Sequence, residues 1–155
     1  MAELTTTQAI GSDSIQYIVV KIGDEQFGID ISYVDNIVRM QKITRVPKAP
    51  FHYLGVINLR GEIVPVMSIR RKMNLDDDVF TNATRIIILK VENHGIVGVV
   101  VDEVKEVKTL STDQIDKTDD GGKNKGTFIN GVGKSGDELI SIFEISAVVE
   151  ENDTV

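Results

Sequence analysis

The chain is built around the segment Gly55-Val56-Ile57-Asn58-Leu59-Arg60-Gly61-Glu62-Ile63-Val64-Pro65-Val66-Met67-Ser68-Ile69. Its β-branched residues lie on both sides of a polar, Gly-containing turn, a pattern that predicts a β-hairpin with Arg60 near its tip. Asn58 and Gly61 are the residues that we expect to tolerate a left-handed backbone in this turn. Because Pro65 has no N–H to donate to a ladder, we expect the second strand to be an edge strand or bulged there.

Length and composition restrict the class of protein. A chain of 155 residues forms one domain, or two very small ones that share a core. Aromatic residues make up only 5% and Trp is absent, so the core must be built mainly from Ile, Val and Leu, which favours sheet over helix. The net charge of -7 argues against a nucleic-acid partner and against adhesion to an anionic membrane.

The sequence also predicts a cytoplasmic protein without direct membrane insertion. No apolar run approaches the ~20 residues that a membrane helix requires, and residues 1–14 lack the pattern of a signal peptide. Cys is absent, which excludes disulfides and thiolate metal sites. We expect no metal and no other cofactor.

About ten short apolar segments predict strands, in two similar sets divided near Asp78. We expect a loose N-terminal tail at residues 1–14 and one domain at residues 15–150, with subdomains of about residues 15–80 and 81–150. The pattern alone predicts two small barrels.

A few segments predict helix or loop. Ser32 as an N-cap, with Ile31, Val34, Ile37 and Val38 at helical spacing, predicts a short helix from about Ser32 to Val38. Further helical turns are expected within Ile69–Leu75 and Ile142–Val149. The polar segment Ser111–Gly126 predicts a mobile loop. Val104, Val107 and Leu110 recur every third residue, which fits neither helix nor strand.

The hairpin sequence Gly-Val-Ile-Asn-Leu-Arg-Gly-Glu-Ile-Val-Pro-Val resembles the signature of the CheW family, the coupling proteins of bacterial chemotaxis. Phe27-Gly28-Ile29-Asp30-Ile31 and the segment Val97–Val104 resemble two further blocks of that family, in the right order. The resemblance extends from about Tyr17 to Val149. It implies an all-β fold of two five-stranded SH3-like barrels packed around a shared hydrophobic core, with short helices and a chain that can cross between barrels near its ends.

The same resemblance implies a function. CheW proteins are non-enzymatic adaptors that couple the cytoplasmic hairpin tips of methyl-accepting chemoreceptors to the regulatory domain of the histidine kinase CheA, within membrane-bound receptor arrays. The family's receptor-contact positions correspond here to Ile31, Val34, Asn36, Ile37, Arg60, Val104 and Val107, whereas the kinase-contact residues are not assigned. Family members often carry Glu where this chain has Asn36, so a charge is missing at that position.

From the residues alone, two interpretations of this site stay open. Arg60 is either an exposed turn residue that pairs with an acid such as Glu62, or a cation that binds a partner's carboxylate or carbonyl groups. The apolar positions Ile31, Val34 and Ile37 are either core or a groove for a helical partner. The resemblance favours the functional interpretation of both.

The sequence contains only weak matches to catalytic and cofactor-binding motifs. His52 and His94 lie beside turns without an orienting partner in the sequence. Gly133-Lys134-Ser135 lacks the preceding Gly of a phosphate-binding loop and is interpreted as a hairpin turn, and Asp76-Asp77-Asp78 as a solvated charge run. A CheV-like adaptor or a piece of the kinase would need segments for which 155 residues leave no room. A small-molecule-binding barrel, or another interaction module outside motility, remains the alternative.

Overall fold

The computed structural model describes residues 13–117 and 128–150. Their architecture is all-β with short helices, as the sequence predicts. The helices are α1 (Ile69–Lys72) and α2 (Ile145–Val149), and single 3-10 turns span Ile31–Tyr33 and Thr112–Gln114. The strands are β1 (Ser14–Ile22), β2 (Glu25–Asp30), β3 (Val34–Arg39), β4 (Tyr53–Leu59), β5 (Glu62–Ser68), β6 (Arg85–Val91), β7 (Gly95–Val101), β8 (Glu103–Ser111), β9 (Ile115–Lys117), β10 (Ile129–Ser135) and β11 (Glu138–Phe143).

The strands form two sheets, in keeping with two SH3-like subdomains. The first sheet has the order β8-β1-β2-β11-β10-β9, and the second has the order β3-β6-β7-β5-β4. Neighbours are antiparallel except for β2 with β11 and β5 with β7, which are parallel. The first sheet has six strands rather than the expected five, because the three-residue β9 adds to β10 at its edge.

The chain builds the second sheet in one excursion from the first. It leaves the first sheet after β2, forms all five strands of the second within residues 34–101, and returns at β8. A subdomain boundary near residue 80 therefore does not follow the sheets, since β6 and β7 lie between β3 and β5. The polar run near Asp78 marks a connection within the second sheet.

Three clusters of buried side chains fill the molecule. A central core combines side chains of both sheets, such as Ile18 and Phe27 from the first with Ile87 and Val99 from the second. Each sheet also closes over a core of its own, one around Ile57 and Ile88 and one around Tyr17 and Ile140. Strand β6 contributes alternately to two cores, which explains why Ile86, Ile87, Ile88 and Leu89 are all buried.

The predicted helix from Ser32 to Val38 is wrong. A single 3-10 turn is capped by Asp30, whose side chain accepts a hydrogen bond from the Ser32 N–H at 2.9 Å, and the chain then extends as β3. Strand β3 pairs with β6 from Val34 to Arg39. The β-branched Val34, Ile37 and Val38 suit this strand, and a bulge between Val34 and Asn36 shifts their alternation toward apparent helical spacing.

The other predicted segments differ from the observed helices and strands mainly in where they begin and end. The closing helix begins at Ile145 rather than Ile142, because Ile142 and Phe143 belong to β11, where the Phe143 ring stacks on Phe27 at 4.7 Å. The Val104–Leu110 segment is strand β8. The expected loop at Ser111–Gly126 is structured as far as Lys117, and the rest of it lies outside the described residues. Gly133-Lys134-Ser135 belongs to β10, and the turn follows at Gly136.

Strand β5 is not an edge strand, although it contains Pro65. It lies between β4 and β7, but its pairing with β7 starts only at Val66. At Pro65 the strand is therefore paired with β4 alone, opposite Val56, so the missing N–H interrupts no ladder with β7. The accompanying irregularity lies in β4, between Tyr53 and Gly55.

Candidate protein-interaction site

The hairpin tip is a two-residue turn formed by Arg60 and Gly61. Their φ angles are 56° and 87°, the left-handed conformation that a two-residue type I′ turn requires at both positions. Asn58 shapes the turn by its side chain, since its Oδ1 accepts a hydrogen bond from the Gly61 N–H at 2.9 Å. The left-handed residue beside Gly61 is therefore Arg60, not Asn58 as the sequence predicts.

Arg60 combines an unusual backbone conformation with a side chain that has no partner among the described residues. Its side chain is exposed and forms no hydrogen bond or ion pair with residues 13–117 or 128–150, and Glu62 in particular does not pair with it. A left-handed conformation costs a residue with a Cβ about 1–2 kcal/mol. No intramolecular contact of the guanidinium offsets that cost within the described chain.

Strand β3 is the outer strand of the second sheet and carries three of the predicted receptor-contact residues, Val34, Asn36 and Ile37. Val34 pairs with Leu89 and Ile37 pairs with Ile87, and both partners belong to the central core. Since directly opposite residues share a face, Val34 and Ile37 lie on the core-facing side of this edge strand. Ile37 nevertheless remains 37% exposed, as does Ile31 in the turn before it.

Strand β8 is the corresponding outer strand of the first sheet. Val104 pairs with Val20 and Val107 pairs with Ile18, and both partners again belong to the central core. Val104 is partly buried against that core, whereas Val107 is 51% exposed. The structure therefore places these two valines, like Val34 and Ile37, on an edge strand at the margin of the core that both sheets share.

The turn Ile31–Tyr33 contacts both β1 and β6, so it lies where the two sheets meet. We use the name edge-strand surface for the apolar residues of the two outer strands and of this turn, namely Ile31, Val34, Ile37, Val104 and Val107. Asn36 does not belong to it, because it pairs with Ile88, a residue of the second sheet's own core. Its side chain lies on the opposite face of β3, where its Oδ1 accepts a hydrogen bond from the Ile37 N–H.

Strand directions relate Arg60 to this surface. Strand β5 runs parallel to β7, and β3 and β7 both run antiparallel to β6. The starts of β3 and β5 therefore lie at the same end of the second sheet, which puts the Arg60 tip at the end where Val34 begins its strand. Within the sheet, β6 and β7 lie between β3, which carries Val34, and β5, which follows the Arg60 turn.

A charged network that the sequence did not reveal fixes the start of β8. Asp102 accepts hydrogen bonds from the Gly23 N–H at 2.8 Å and from the Arg70 guanidinium at 2.7 and 3.3 Å. Burial raises the pKa of Asp102, but the hydrogen bonds from Arg70 and Gly23 and the Arg70 charge lower it by more, so this pKa lies below its ordinary value. The network ties the β1–β2 turn and α1 to the strand that carries Val104.

No group of three or more His, Cys, Asp or Glu residues in residues 13–117 and 128–150 could hold a metal ion. No helix of those same residues has the length and apolarity needed to cross a membrane. His94 is exposed near its own turn, and His52 packs against the Tyr53 ring at 4.7 Å.

Known proteins are similar to this chain over most of its length. The CheW-like domain model matches residues 16–153. Chemotaxis protein CheW of Bacillus subtilis is 33% identical over 135 residues, covering 86% of this chain and 86% of that protein. Chemotaxis protein CheW of Helicobacter pylori is 29% identical over 151 residues, covering 97% of this chain and 91% of its own length.

A solved structure is similar over most of the chain. The crystal structure of the scaffolding protein TtCheW from Thermoanaerobacter tengcongensis has a TM-score of 0.78 and 28% identity, covering 84% of this chain and 88% of that one. Because the family model spans nearly the whole chain and the relatives are covered over most of their length, the chain belongs to the CheW-like family of chemotaxis scaffold proteins.

Proposed function

We propose that this protein is a non-enzymatic adaptor that couples the cytoplasmic hairpin tips of chemoreceptors to the regulatory domain of the histidine kinase CheA. The observation that carries the proposal is Arg60, an exposed cation that pairs with none of the described residues. It is held in a left-handed turn at the end of the second sheet where β3, with Val34, begins. Membership of the CheW-like family supports the assignment of partners.

The edge-strand surface suits a helical partner. A helix in a groove needs apolar contacts along one face and polar groups at the rim. Val107 and Ile37 expose apolar side chains beside the shared core, and Arg60 can donate charge-assisted hydrogen bonds to carboxylate or carbonyl groups of the receptor. A receptor hairpin tip is such a helical partner. Asn36, on the other face of β3, then influences receptor pairing only indirectly, through the position of Ile37.

The kinase contact lies elsewhere on the molecule in this proposal. Two or more modest interfaces on one small protein can hold a lattice together, because each binding event raises the effective concentration of the next partner. The protein would thereby be cytoplasmic and associate with membrane-bound receptor arrays only through its partners.

Binding to purified partners tests this function. The protein should bind a receptor cytoplasmic fragment and the CheA regulatory domain separately, and should bridge the two in a sedimentation assay in which neither partner binds the other directly. Arg60→Ala should lose the receptor fragment and keep the kinase domain. A protein that binds neither partner at concentrations of about 100 μM, which corresponds to roughly 5.5 kcal/mol, would refute the adaptor function.

A further inference from the structure

The first sheet forms a small cavity at the end where β1 begins and β2 ends. Its volume is about 190 Å³, which is about six times the share of liquid volume that one water molecule takes. Strands β1, β2, β9, β10 and β11 contribute to its lining, together with the turn Ile31–Tyr33 and the start of α2. The cavity is therefore built from parts of the chain that are distant in sequence and are held together by the sheet.

A buried phenol without a partner lines this cavity. Tyr17 is only 4% exposed, and its hydroxyl forms no hydrogen bond with any residue that the structure describes. Burial raises the pKa of Tyr17, and the charge of Asp30, directly opposite it on β2, raises this pKa further. The hydroxyl is therefore protonated at neutral pH and can both donate and accept a hydrogen bond. A buried hydroxyl left without a partner is unfavourable, so a ligand that supplies one is stabilised here.

Two carboxylates face the same cavity. The Asp30 Oδ1 accepts a hydrogen bond from the Ser32 N–H at 2.9 Å, whereas its Oδ2 has no donor within residues 13–117 and 128–150. The Glu144 carboxylate is held in place by the Asn130 amide at 2.9 Å and by the Ser146 hydroxyl at 3.0 Å. These contacts fix both acidic groups before any ligand arrives, and each carboxylate retains lone pairs that can accept further hydrogen bonds.

The rest of the lining is mostly apolar. Three aromatic and three aliphatic side chains contribute to it, namely Tyr17, Tyr33, Phe143, Ile15, Ile115 and Ile142. Aromatic faces attract cations, and most strongly where water is excluded. Among the described residues of the lining, Lys117 is the only cation, and it is exposed. The balance of charge therefore favours a cation over an anion inside the cavity.

The cavity is separate from the edge-strand surface. Tyr17 and Ile18 are consecutive residues of β1, so their side chains lie on opposite faces of the first sheet. Ile18 belongs to the central core and pairs with Val107 of the edge-strand surface. Tyr17 belongs to the first sheet's own core instead. A ligand of the cavity would thus contact the other face of this sheet.

We propose that this cavity binds a small organic ammonium ion. Its N–H groups donate to the Tyr17 hydroxyl and to the carboxylates of Asp30 and Glu144, and its carbon skeleton packs against the rings and aliphatic side chains. The apolar lining disfavours a hydrated inorganic cation, and the volume restricts the ligand to a molecule smaller than those of most ligand pockets. This inference goes beyond the proposed adaptor function and does not depend on it.

Titration with benzylammonium and two analogues tests the site. Benzyl alcohol has nearly the same shape without the charge, and benzoate carries the opposite charge. The readout is the set of amide chemical shifts of the full chain. We expect benzylammonium to bind with a Kd of about 1 mM or lower, a strength within reach of a ligand of eight non-hydrogen atoms. Each analogue should bind at least tenfold more weakly, and the shifted amides should lie in residues 15–17, 30–33, 112–117 and 142–145.

Three conservative substitutions remove one contact each. Tyr17→Phe deletes only the hydroxyl and should weaken binding of benzylammonium at least fivefold. Asp30→Asn keeps an oxygen that can accept the Ser32 N–H but loses the charge, and it should weaken binding at least tenfold. Glu144→Gln should weaken binding at least threefold.

Matched controls make the same chemical changes outside the cavity. Asp24→Asn removes one negative charge from an exposed residue in the turn before β2, at the other end of that strand. Tyr53→Phe removes a phenol hydroxyl from β4 in the second sheet. Each control should change the affinity for benzylammonium less than twofold. Amide spectra of every variant establish that the fold is intact, and Tyr17→Phe decides the test if Asp30→Asn does not fold.

Several outcomes would overturn the proposal. One is the lack of a saturable shift at benzylammonium concentrations of about 10 mM, tenfold above the expected Kd. Another is binding of benzyl alcohol as tight as that of benzylammonium, which would leave the carboxylates without a role. Equal weakening by Asp30→Asn and Asp24→Asn would reduce the effect to net charge. Displacement of benzylammonium by a lower concentration of magnesium chloride would assign the cavity to an inorganic cation.

Discussion

At the scale of single residues, Arg60 shows a conflict between local preference and position. Two-residue turns with both residues left-handed favour Asn-Gly or Gly-Gly, because a Cβ is poorly tolerated at positive φ. This chain has Arg at the first position, with φ 56°, and uses Asn58 outside the turn to accept the Gly61 N–H. Local preference therefore predicts the hairpin but not which residue carries the unfavourable backbone. An arginine kept at such a cost points to a role for its side chain.

Substitutions of Arg60 separate that role from folding. Arg60→Ala should change the free energy of unfolding by less than ~0.5 kcal/mol, because the guanidinium has no partner among residues 13–117 and 128–150. It should cost ~1.5–3 kcal/mol of receptor binding if charge-assisted hydrogen bonds are lost. Arg60→Lys, which keeps the charge without the planar fork, should recover part of that loss. Affinity for a receptor fragment and thermal melting are the measurements.

Arg60→Asn is the sharper control for the same site. Asn tolerates a left-handed backbone, so this variant should be more stable than the wild type by about 0.5–1 kcal/mol while binding the receptor as poorly as Arg60→Ala. Unchanged receptor affinity in either variant would reduce Arg60 to an ordinary turn residue.

Asp102 gives a prediction for pH. Its pKa is lowered in the folded protein, so its contribution to stability is present above the unfolded pKa of about 4 and is lost as the pH falls through the folded value. Urea midpoints of the wild type should therefore fall more steeply below pH 4 than those of Asp102→Asn. Asp116→Asn, which removes an exposed pair with Lys134 at 3.2 Å, is the control and should follow the wild type. Parallel curves for wild type and Asp102→Asn would contradict the network.

At the scale of elements, the sequence predicts strands that are buried on one or both faces and fails at the edge strand β3. The run Ile86–Leu89 is apolar without alternation, and the structure shows why, since β6 contributes side chains to two cores. In β3 the bulge places Val34, Ile37 and Val38 at spacings of three and one, which also occur on a helix face. Only the long-range pairing with β6 decides between the two, and no local pattern contains that information.

The edge-strand surface can be tested at two positions that differ in burial. Val107→Asp puts a charge on a side chain that is 51% exposed, so it should weaken receptor binding by more than ~1 kcal/mol through desolvation with little loss of stability. Val34→Asp should weaken binding and also lower the melting temperature, because Val34 packs partly against the central core. Receptor affinity and melting curves are measured for both.

The control for these substitutions is Leu139→Asp, on strand β11 of the first sheet. Leu139 is 60% exposed and lies away from both edge strands that carry the surface. It should retain receptor affinity. If Val107→Asp binds as well as Leu139→Asp, the edge-strand surface is not the receptor contact.

At the scale of the whole molecule, the family and the fold class follow from three sequence blocks, but the nesting of one sheet within the other does not. Composition and strand spacing are the same whether the chain is cut near residue 80 or leaves and re-enters the first sheet. What selects the observed order is burial, because β1 and β6 each present alternate residues to the shared core. The parallel pair β2 and β11 then joins the first part of the chain to the last.

Because the two sheets share the central core, we expect them to unfold as one cooperative unit. Ile87 belongs to the central core, and Ile88 next to it belongs to the second sheet's own core. Each substitution by Ala should lower the free energy of unfolding by about 2–5 kcal/mol, since both side chains are fully buried. Because both sheets close over the central core, urea unfolding should be a single transition. Within each variant, probes in the first sheet and probes in the second sheet should report the same urea midpoint.

Hydrogen exchange distinguishes this from two independent barrels. Amides of Val19 in the first sheet and Val99 in the second should exchange with the same free energy in the wild type, and Ile88→Ala should reduce both equally, although Ile88 contacts only its own sheet's core. Ile87→Ala serves as the matched control. Ile87 packs in the core that both sheets share, so this substitution should destabilise both sheets directly. If Ile88→Ala accelerates exchange at Val99 and leaves Val19 unchanged, the sheets unfold separately. In that case each sheet would be stable without the other, and neither would need the shared core in order to fold.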